Sequence, residues 1–133
     1  MYFPNIIAHR GVPHLAPENT MASFKAAIAM GVDGIETDIQ LTKDGVMVIC
    51  HDEMLDRTTD GKGLLKDYTL RELKSISAGS WFSDEFAAER IPTLEEFLDL
   101  VKDTDIMLDI EIKSGVVLYP GIEKKLIAML REF

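Results

Sequence analysis

Apolar residues recur along this chain at two spacings, which together predict alternating strands and helices. Four short and mostly apolar runs predict buried strands, at residues 5–8, 34–41, 46–50 and 106–113. The run 34–41 alternates apolar and polar residues, which is typical of a strand with two different faces. Apolar residues at helical spacing follow Thr20 as far as Gly31, and they recur at 94–101 and 122–130.

Capping patterns mark the start of two helices. Thr69 precedes Glu72 and Thr93 precedes Glu96, each at the spacing of a capping box. Residues 53–90, which contain the first of these two starts, are otherwise irregular and rich in polar and glycine positions. We therefore expect one short helix within a segment that is mainly loop.

Strands that alternate with helices predict an α/β fold with a largely parallel sheet. One connection does not fit this pattern, because few residues separate the strand at 34–41 from the strand at 46–50. A parallel crossover normally needs about a dozen residues or more. Either the turn Lys43-Asp44-Gly45 makes a local hairpin, or two short strands are joined by an extended crossover, and the sequence leaves both open.

Size and charge limit the classes of protein that fit. The 133 residues are 47% hydrophobic and carry a net charge of −9, which predicts one soluble globular domain. So acidic a chain repels a nucleic-acid backbone, and a small phosphate ester would need locally placed cations. The longest apolar runs fall short of the roughly 20 residues that span a bilayer.

The predicted location is the cytoplasm. Cys50 is the single cysteine, so an internal disulfide is excluded. The start Met1-Tyr2-Phe3-Pro4 lacks the features of a signal peptide. A secreted form whose signal peptide has been removed remains an alternative.

Titratable side chains fall repeatedly at the ends of the predicted strands. They are His9, Glu36, Asp38, His51, Glu111 and Lys113. A βα barrel builds its active site from the carboxyl ends of its strands, so these positions would converge there. A single histidine is more often a buried structural residue, but two histidines beside a Glu-x-Asp pair favour a reactive site.

The residue types suggest metal-assisted phosphate chemistry. Three carboxylates without a neighbouring thiolate form the oxygen-rich site that suits Mg²⁺, Ca²⁺ or Mn²⁺. Such an ion would bind a phosphate oxygen as a Lewis acid. His9 and His51 could divide the proton transfers, since imidazole titrates near neutral pH. Arg10 and Lys113 could hold the remaining phosphate oxygens.

These residues lie in a set of motifs that resembles the glycerophosphodiester phosphodiesterase family. The motifs are His9-Arg10-Gly11, Pro17-Glu18-Asn19-Thr20, Glu36-Thr37-Asp38, Lys43-Asp44-Gly45, His51-Asp52 and Ile110-Glu111-Ile112-Lys113. The resemblance implies a TIM-type (β/α) barrel of the phospholipase-C-like phosphodiesterase kind. It also implies hydrolysis of small-molecule glycerophosphodiesters to glycerol 3-phosphate and an alcohol.

The resemblance assigns a role to each matching residue. It implies that His9 and His51 are the acid/base pair, and that Arg10 and Lys113 contact phosphate. The metal ligands would be Glu36, Asp38 and Glu111. The segment at about 53–90 would be the family's insertion, which shapes the glycerol pocket. Attack by the 2-hydroxyl of glycerol, giving a cyclic intermediate, and direct attack by water both remain open.

The length of the chain departs from what this resemblance implies. A TIM-type barrel typically needs about 250 residues, whereas this chain of 133 residues offers four predicted strands. We expect residues 1–133 to form one partial domain, a half-barrel with open sheet edges and an open interior. The chain is then expected to be a fragment or truncated product, or to pair with a second copy. An inactive folding or interaction module and a lysophospholipid hydrolase are the competing functions.

Overall fold

The computed structural model describes residues 3–133, so Met1 and Tyr2, which entered the signal-peptide prediction, lie outside the described residues. Its sheet has four strands, and β2 is the central one. The strands are β1 (Ile7–His9), β2 (Gly34–Leu41), β3 (Met47–Ile49) and β4 (Met107–Ile112). These bounds lie within two residues of those predicted from the apolar runs.

The connection that the sequence left open is a hairpin, because β3 pairs antiparallel with β2. Its turn is closed by backbone hydrogen bonds from Gly45 to Thr42 and from Thr42 to Val46. Gly45 has a φ of +80°, a conformation that glycine adopts at little cost. The largely parallel sheet is confirmed for β1, β2 and β4, whereas β3 is not a parallel barrel strand.

The strand registers fix how the sheet is arranged. β4 pairs with β2 along Gly34–Ile39, so β1 and β3 both lie against the opposite edge of β2. β1 pairs with the first part of β2, and β3 pairs with the last part. The carboxyl ends of β1 and β3 therefore both lie beside the middle of β2.

Within residues 3–133, four α-helices accompany the sheet: α1 (Met21–Ala29), α2 (Leu70–Leu73), α3 (Leu94–Val101) and α4 (Ile122–Glu132). Thr20 caps α1 by accepting a hydrogen bond from the backbone of Ser23. Both predicted capping boxes are present, at the starts of α2 and α3. Short 3-10 turns at Leu65–Asp67 and Asp84–Phe86 complete the segment at 53–90.

The main core lies between one face of the sheet and the helices. Ile35 and Ile39 of β2 are fully buried there, and the rings of Phe24 and Phe97 pack 4.6 Å apart. A second apolar cluster lies beneath the segment at 53–90; it comprises Val48, Cys50, Leu55, Leu65, Leu73, Ala78 and Ile91. The opposite sheet face carries the charged residues and is open along β4, where Asp109 and Glu111 are exposed.

Among residues 3–133, no helix combines the length and the apolar character that crossing a membrane requires.

Candidate active site

Strand register brings five titratable side chains to one face of the sheet. His9 of β1 pairs with Glu36 of β2, and Glu36 pairs in turn with Asp109 of β4. Asp38 pairs with Glu111 one pleat further along. Paired residues in register point to the same face of a sheet, so all five side chains share the open face.

Three of these carboxylates form a compact cluster. Glu36, Asp38 and Glu111 each offer one oxygen, and these oxygens lie within 4.8 Å of one another. The Asp38 side chain is 1% exposed, whereas that of Glu111 is 55% exposed. Two buried oxygens, Glu36 Oε2 and Asp38 Oδ1, accept no hydrogen bond in the described part of the chain. Burial of unsatisfied acceptors is costly unless something binds them.

The electrostatics of the cluster favour a cation. The pKa of Glu36 is raised to about 7, first by burial and then by the neighbouring Asp38 and Glu111 carboxylates, against the opposing charge of Arg10. Carboxylates this close repel each other unless a proton or a cation offsets their charge. The all-oxygen donor set therefore fits a hard divalent ion such as Mg²⁺, Ca²⁺ or Mn²⁺.

Asn19 fixes one oxygen of Asp38 and leaves the other free. Its amide donates to Asp38 Oδ2 at 3.0 Å, and its own oxygen accepts from Thr37 Oγ1 at 2.9 Å. Asn19 is 4% exposed and has a φ of +56°, a left-handed conformation that asparagine tolerates better than most residues. The same Asp38 oxygen lies 3.7 Å from Arg10 Nε. Asp38 Oδ1 is thus left for a ligand.

The predicted phosphate-binding residues flank this cluster. Arg10 has a φ of +59° and donates its backbone N–H to Glu36 O at 2.9 Å. Its guanidinium donates from Nη1 to Glu18 Oε2 at 3.0 Å. On the other side, Lys113 Nζ lies 3.8 Å from Glu111 Oε1. Both cations are therefore beside the carboxylates, each paired with a carboxylate of its own.

The two predicted acid/base residues lie where β1 and β3 leave the sheet along one edge of β2. His9 Nε2 lies 3.6 Å from Glu36 Oε2, and its side chain is 66% exposed. β3 ends beside Asp38, where Cys50 donates its backbone N–H to Asp38 O at 3.1 Å. The next residue is His51, so the two histidine-bearing loops leave the sheet beside the Glu36–Asp38 pair.

His51 is held by partners on both its side chain and its backbone. Its Nδ1 lies 2.8 Å from Asp52 Oδ1. The buried Gln40 donates from Nε2 to Cys50 O at 2.9 Å and to Asp52 O at 2.7 Å, so it binds the backbone carbonyls of the residues on either side of His51. Tyr119 O–H donates to Gln40 Oε1 at 2.8 Å.

Two contributors to this arrangement are absent from the residues predicted from the sequence. Arg57 binds both Asp52 and Glu18, and Gln40 binds the backbone around His51. Gln40 continues the alternation of Glu36 and Asp38 along β2, so its place on the polar face was readable. Arg57 lies in an irregular polar loop and gives no comparable signal.

Comparison with known proteins gives a consistent result. A family model described as "Glycerophosphoryl diester phosphodiesterase family" matches residues 9–124. A protein of Caldanaerobacter subterraneus named glycerophosphodiester phosphodiesterase is 57% identical over 128 residues, which are 96% of this chain and 53% of that protein.

Solved structures agree with this result. The crystal structure of a glycerophosphodiester phosphodiesterase from Agrobacterium tumefaciens has a TM-score of 0.88 at 35% identity, and the match covers 98% of this chain and 53% of that one. An Oleispira antarctica phosphodiesterase, in complex with the product sn-glycerol-3-phosphate, has a TM-score of 0.84 at 43% identity, covering 97% of this chain and 51% of that one.

The matches also locate this chain within the larger fold. The chain spans about half the length of the curated relatives it matches. Its sheet and helices form about half of a TIM-type barrel, and the predicted α/β fold class is confirmed.

Proposed function

We propose that this chain, which belongs to the glycerophosphoryl diester phosphodiesterase family, carries the metal-binding and acid/base residues of an enzyme that hydrolyses glycerophosphodiesters. The products would be glycerol 3-phosphate and an alcohol. The observation that carries the proposal is the cluster of Glu36, Asp38 and Glu111, with His9 beside it at one end of the sheet. The product bound to the Oleispira relative supports the substrate class.

Glu36, Asp38 and Glu111 would hold one divalent cation. Two observations support this role: two buried carboxylate oxygens accept no hydrogen bond among the described residues, and the pKa of Glu36 is raised. Both indicate negative charge that a bound cation would offset. When bound, the ion would act as a Lewis acid toward a phosphate oxygen. Mg²⁺, Ca²⁺ and Mn²⁺ all suit the ligands, and the choice among them is a matter for titration.

His9 and His51 would carry the two proton transfers. One imidazole would take the proton of the attacking hydroxyl or water, and the other would give a proton to the departing alkoxide oxygen. Asp52 supports this role for His51, because its carboxylate binds Nδ1 and leaves Nε2 for the reaction. A cyclic phosphate product would identify attack by the 2-hydroxyl, and its absence under single-turnover conditions would favour water.

Arg10 and Lys113 would bind the remaining phosphate oxygens. Both lie beside the carboxylate cluster, and their side chains are 19% and 14% exposed, so a phosphate could reach them at modest desolvation cost. A role for residues 53–90 in shaping the glycerol pocket stays a prediction, as do the bounds of that insertion.

The competing proposal is a chain that binds metal without turnover. The exposure of Asp109 and Glu111 favours it, because an open sheet face admits water to the site. Pairing with a second copy and a cytoplasmic location also stay predictions. Size-exclusion chromatography of the chain tests the pairing, and a compact folded monomer would contradict it.

The decisive experiment assays this chain by itself and fused to the remaining part of the Caldanaerobacter relative. Turnover of glycerophosphocholine is measured with Mg²⁺, Ca²⁺ or EDTA. We expect His9→Ala and His51→Ala each to lower kcat in the fusion by about 10²- to 10⁴-fold. The control is His14→Ala, which removes the exposed third histidine. Near-normal turnover in either test variant would refute the acid/base assignment.

Metal binding without turnover in both forms would favour the inactive module instead. Turnover that is unaffected by EDTA would refute the metal assignment while leaving the histidine assignment open to the same variants.

A further inference from the structure

Arg57 connects two loops that come from distant parts of the chain. Its guanidinium donates to Asp52 from Nε at 2.8 Å and from Nη2 at 3.0 Å. It also donates to Glu18 from Nη1 at 2.7 Å and from Nη2 at 3.2 Å. One planar group thus binds two carboxylates, each through both oxygens, a geometry that lysine cannot reproduce.

Each of these carboxylates binds a second residue to which the proposed function gives a role. Asp52 Oδ1 lies 2.8 Å from His51 Nδ1. Glu18 Oε2 accepts from Arg10 Nη1 at 3.0 Å. Through these two carboxylates, Arg57 therefore connects the proposed acid/base residue of one loop with the proposed phosphate-binding residue of another.

By holding the ionised Asp52 carboxylate against His51 Nδ1, Arg57 also influences which ring nitrogen of His51 carries hydrogen. Hydrogen bonds from Arg57 chiefly hold the pKa of Asp52 down at about 2, against burial, which would raise it. An ionised carboxylate can only accept hydrogen bonds, so His51 Nδ1 must be the donor. In the neutral ring Nε2 is then free of hydrogen and able to take a proton.

Glu18 is kept ionised in a similar way. Its burial alone would raise its pKa, but the hydrogen bonds and charges of Arg57 and Arg10 lower it below the ordinary value. Its side chain is 9% exposed, so without Arg57 a nearly buried carboxylate would keep Arg10 as its remaining ion-pair partner. Arg10 would then be drawn more strongly to Glu18 and away from a phosphate.

Contacts other than those of Arg57 hold the backbone of this region. The peptides around His51 are bound by Gln40, and the loop beyond is closed by hydrogen bonds from Thr59 to Leu55. The Arg57 side chain is 47% exposed, and exposed ion pairs contribute little to folding stability. Its loss should thus disturb side-chain orientation more than the fold.

We propose that Arg57 is a positioning residue that aligns the ring of His51 through Asp52 and the guanidinium of Arg10 through Glu18. This inference rests on the proposed function for its catalytic consequence. The two carboxylates share one guanidinium, so the acid/base group and the phosphate-binding group are held in a fixed relation to each other.

The kinetic test compares Arg57→Ala and Arg57→Lys in the fusion protein. A misplaced reacting group costs on the order of 100-fold, and we expect a loss in kcat of about that size for Arg57→Ala. Arg57→Lys should recover little, because an ammonium cannot bind both carboxylates through paired N–H groups. Added guanidinium ion should restore part of the activity of Arg57→Ala and none to Arg57→Lys. The matched control is Arg71→Ala, at an exposed arginine on α2 of the same segment.

The structural test does not depend on turnover. Nitrogen-15 NMR of the histidine rings should report hydrogen on Nδ1 of neutral His51 in the parent chain, and a mixture of both tautomers in Arg57→Ala. An unchanged His51 tautomer, or a kcat within about threefold of the Arg71→Ala control, would overturn the proposal. If the parent fusion itself lacks turnover, the proposed function fails, and the NMR comparison still decides whether Arg57 orients the ring.

Discussion

Replacing Glu36 with glutamine should stabilise the fold at neutral pH while weakening metal binding. The pKa of Glu36 rises from the ordinary 4.5 to about 7, first because the carboxyl is buried and then because Asp38 lies beside it. At ~1.4 kcal/mol per pKa unit, full ionisation costs at most about 3.5 kcal/mol. The open sheet face hydrates part of that charge, so we expect a gain of about 1 to 2 kcal/mol for Glu36→Gln.

The sign of the pH dependence follows from the direction of the shift. Glu36 binds its proton more tightly in the folded chain than in the unfolded one, so its contribution to stability is full below about pH 4.5 and is lost as the pH rises through about 7. Glutamine does not titrate. The stability difference between Glu36→Gln and the parent should therefore be near zero at low pH and favour the variant above neutrality.

Thermal unfolding of the chain in EDTA measures this difference. We expect Glu36→Gln to melt about 3 to 8 °C higher than the parent at about pH 7.5 and to lose that advantage at about pH 4.5. Glu132→Gln, at an exposed carboxylate of α4, is the control for a general charge effect. Added Ca²⁺ or Mg²⁺ should raise the melting temperature of the parent more than that of Glu36→Gln. A variant that melts lower than the parent at both pH values would refute the reasoning.

Three further predictions concern the scaffold. Gly79→Ala should lower the free energy of unfolding by more than about 2 kcal/mol in chemical denaturation, because the new Cβ would lie 2.0 Å from Phe86 O. Gly63→Ala should lower it by only about 1 kcal/mol, because its Cβ would lie in open space and only the φ of +84° opposes it. Thr93→Ala should cost about 1 kcal/mol by removing a cap of α3, and an unchanged melting temperature would contradict that role. Cys50, whose pKa burial raises to about 12, should react with a thiol reagent only after unfolding, and rapid labelling of the folded chain would refute its burial.

Local sequence signals were sufficient for the regular elements. Helix α3 has the bounds predicted from its apolar spacing, because the Thr93–Glu96 capping box fixes its start. The alternation in β2 was equally informative, since a period of two places Glu36 and Asp38 on one face and Ile35 and Ile39 on the other. Patterns of this kind depend only on neighbours along the chain.

Contacts between distant segments could not be predicted in the same way. Asn19 was explicable as part of a loop that leads into a helix, and only the fold brings it to Asp38. The four hydrogen bonds of Arg57 join residues that are 5 and 39 positions away. Such contacts depend on how the loops after β1 and β3 meet, which no periodicity encodes.

The path of the chain to His51 differs from the one that strand-end reasoning assumed. β1 leaves the sheet after pairing with Glu36, whereas β3 runs in the opposite direction along the same edge and leaves it beside Asp38. Those two positions on β2 are roughly 7 Å apart, at about 3.3 Å per residue. A parallel β3 would have needed a connection of about a dozen residues or more, and the chain supplies only 42–46 between the two strands. The hairpin, rather than a shared strand direction, is what sets both histidine loops against one pair of carboxylates.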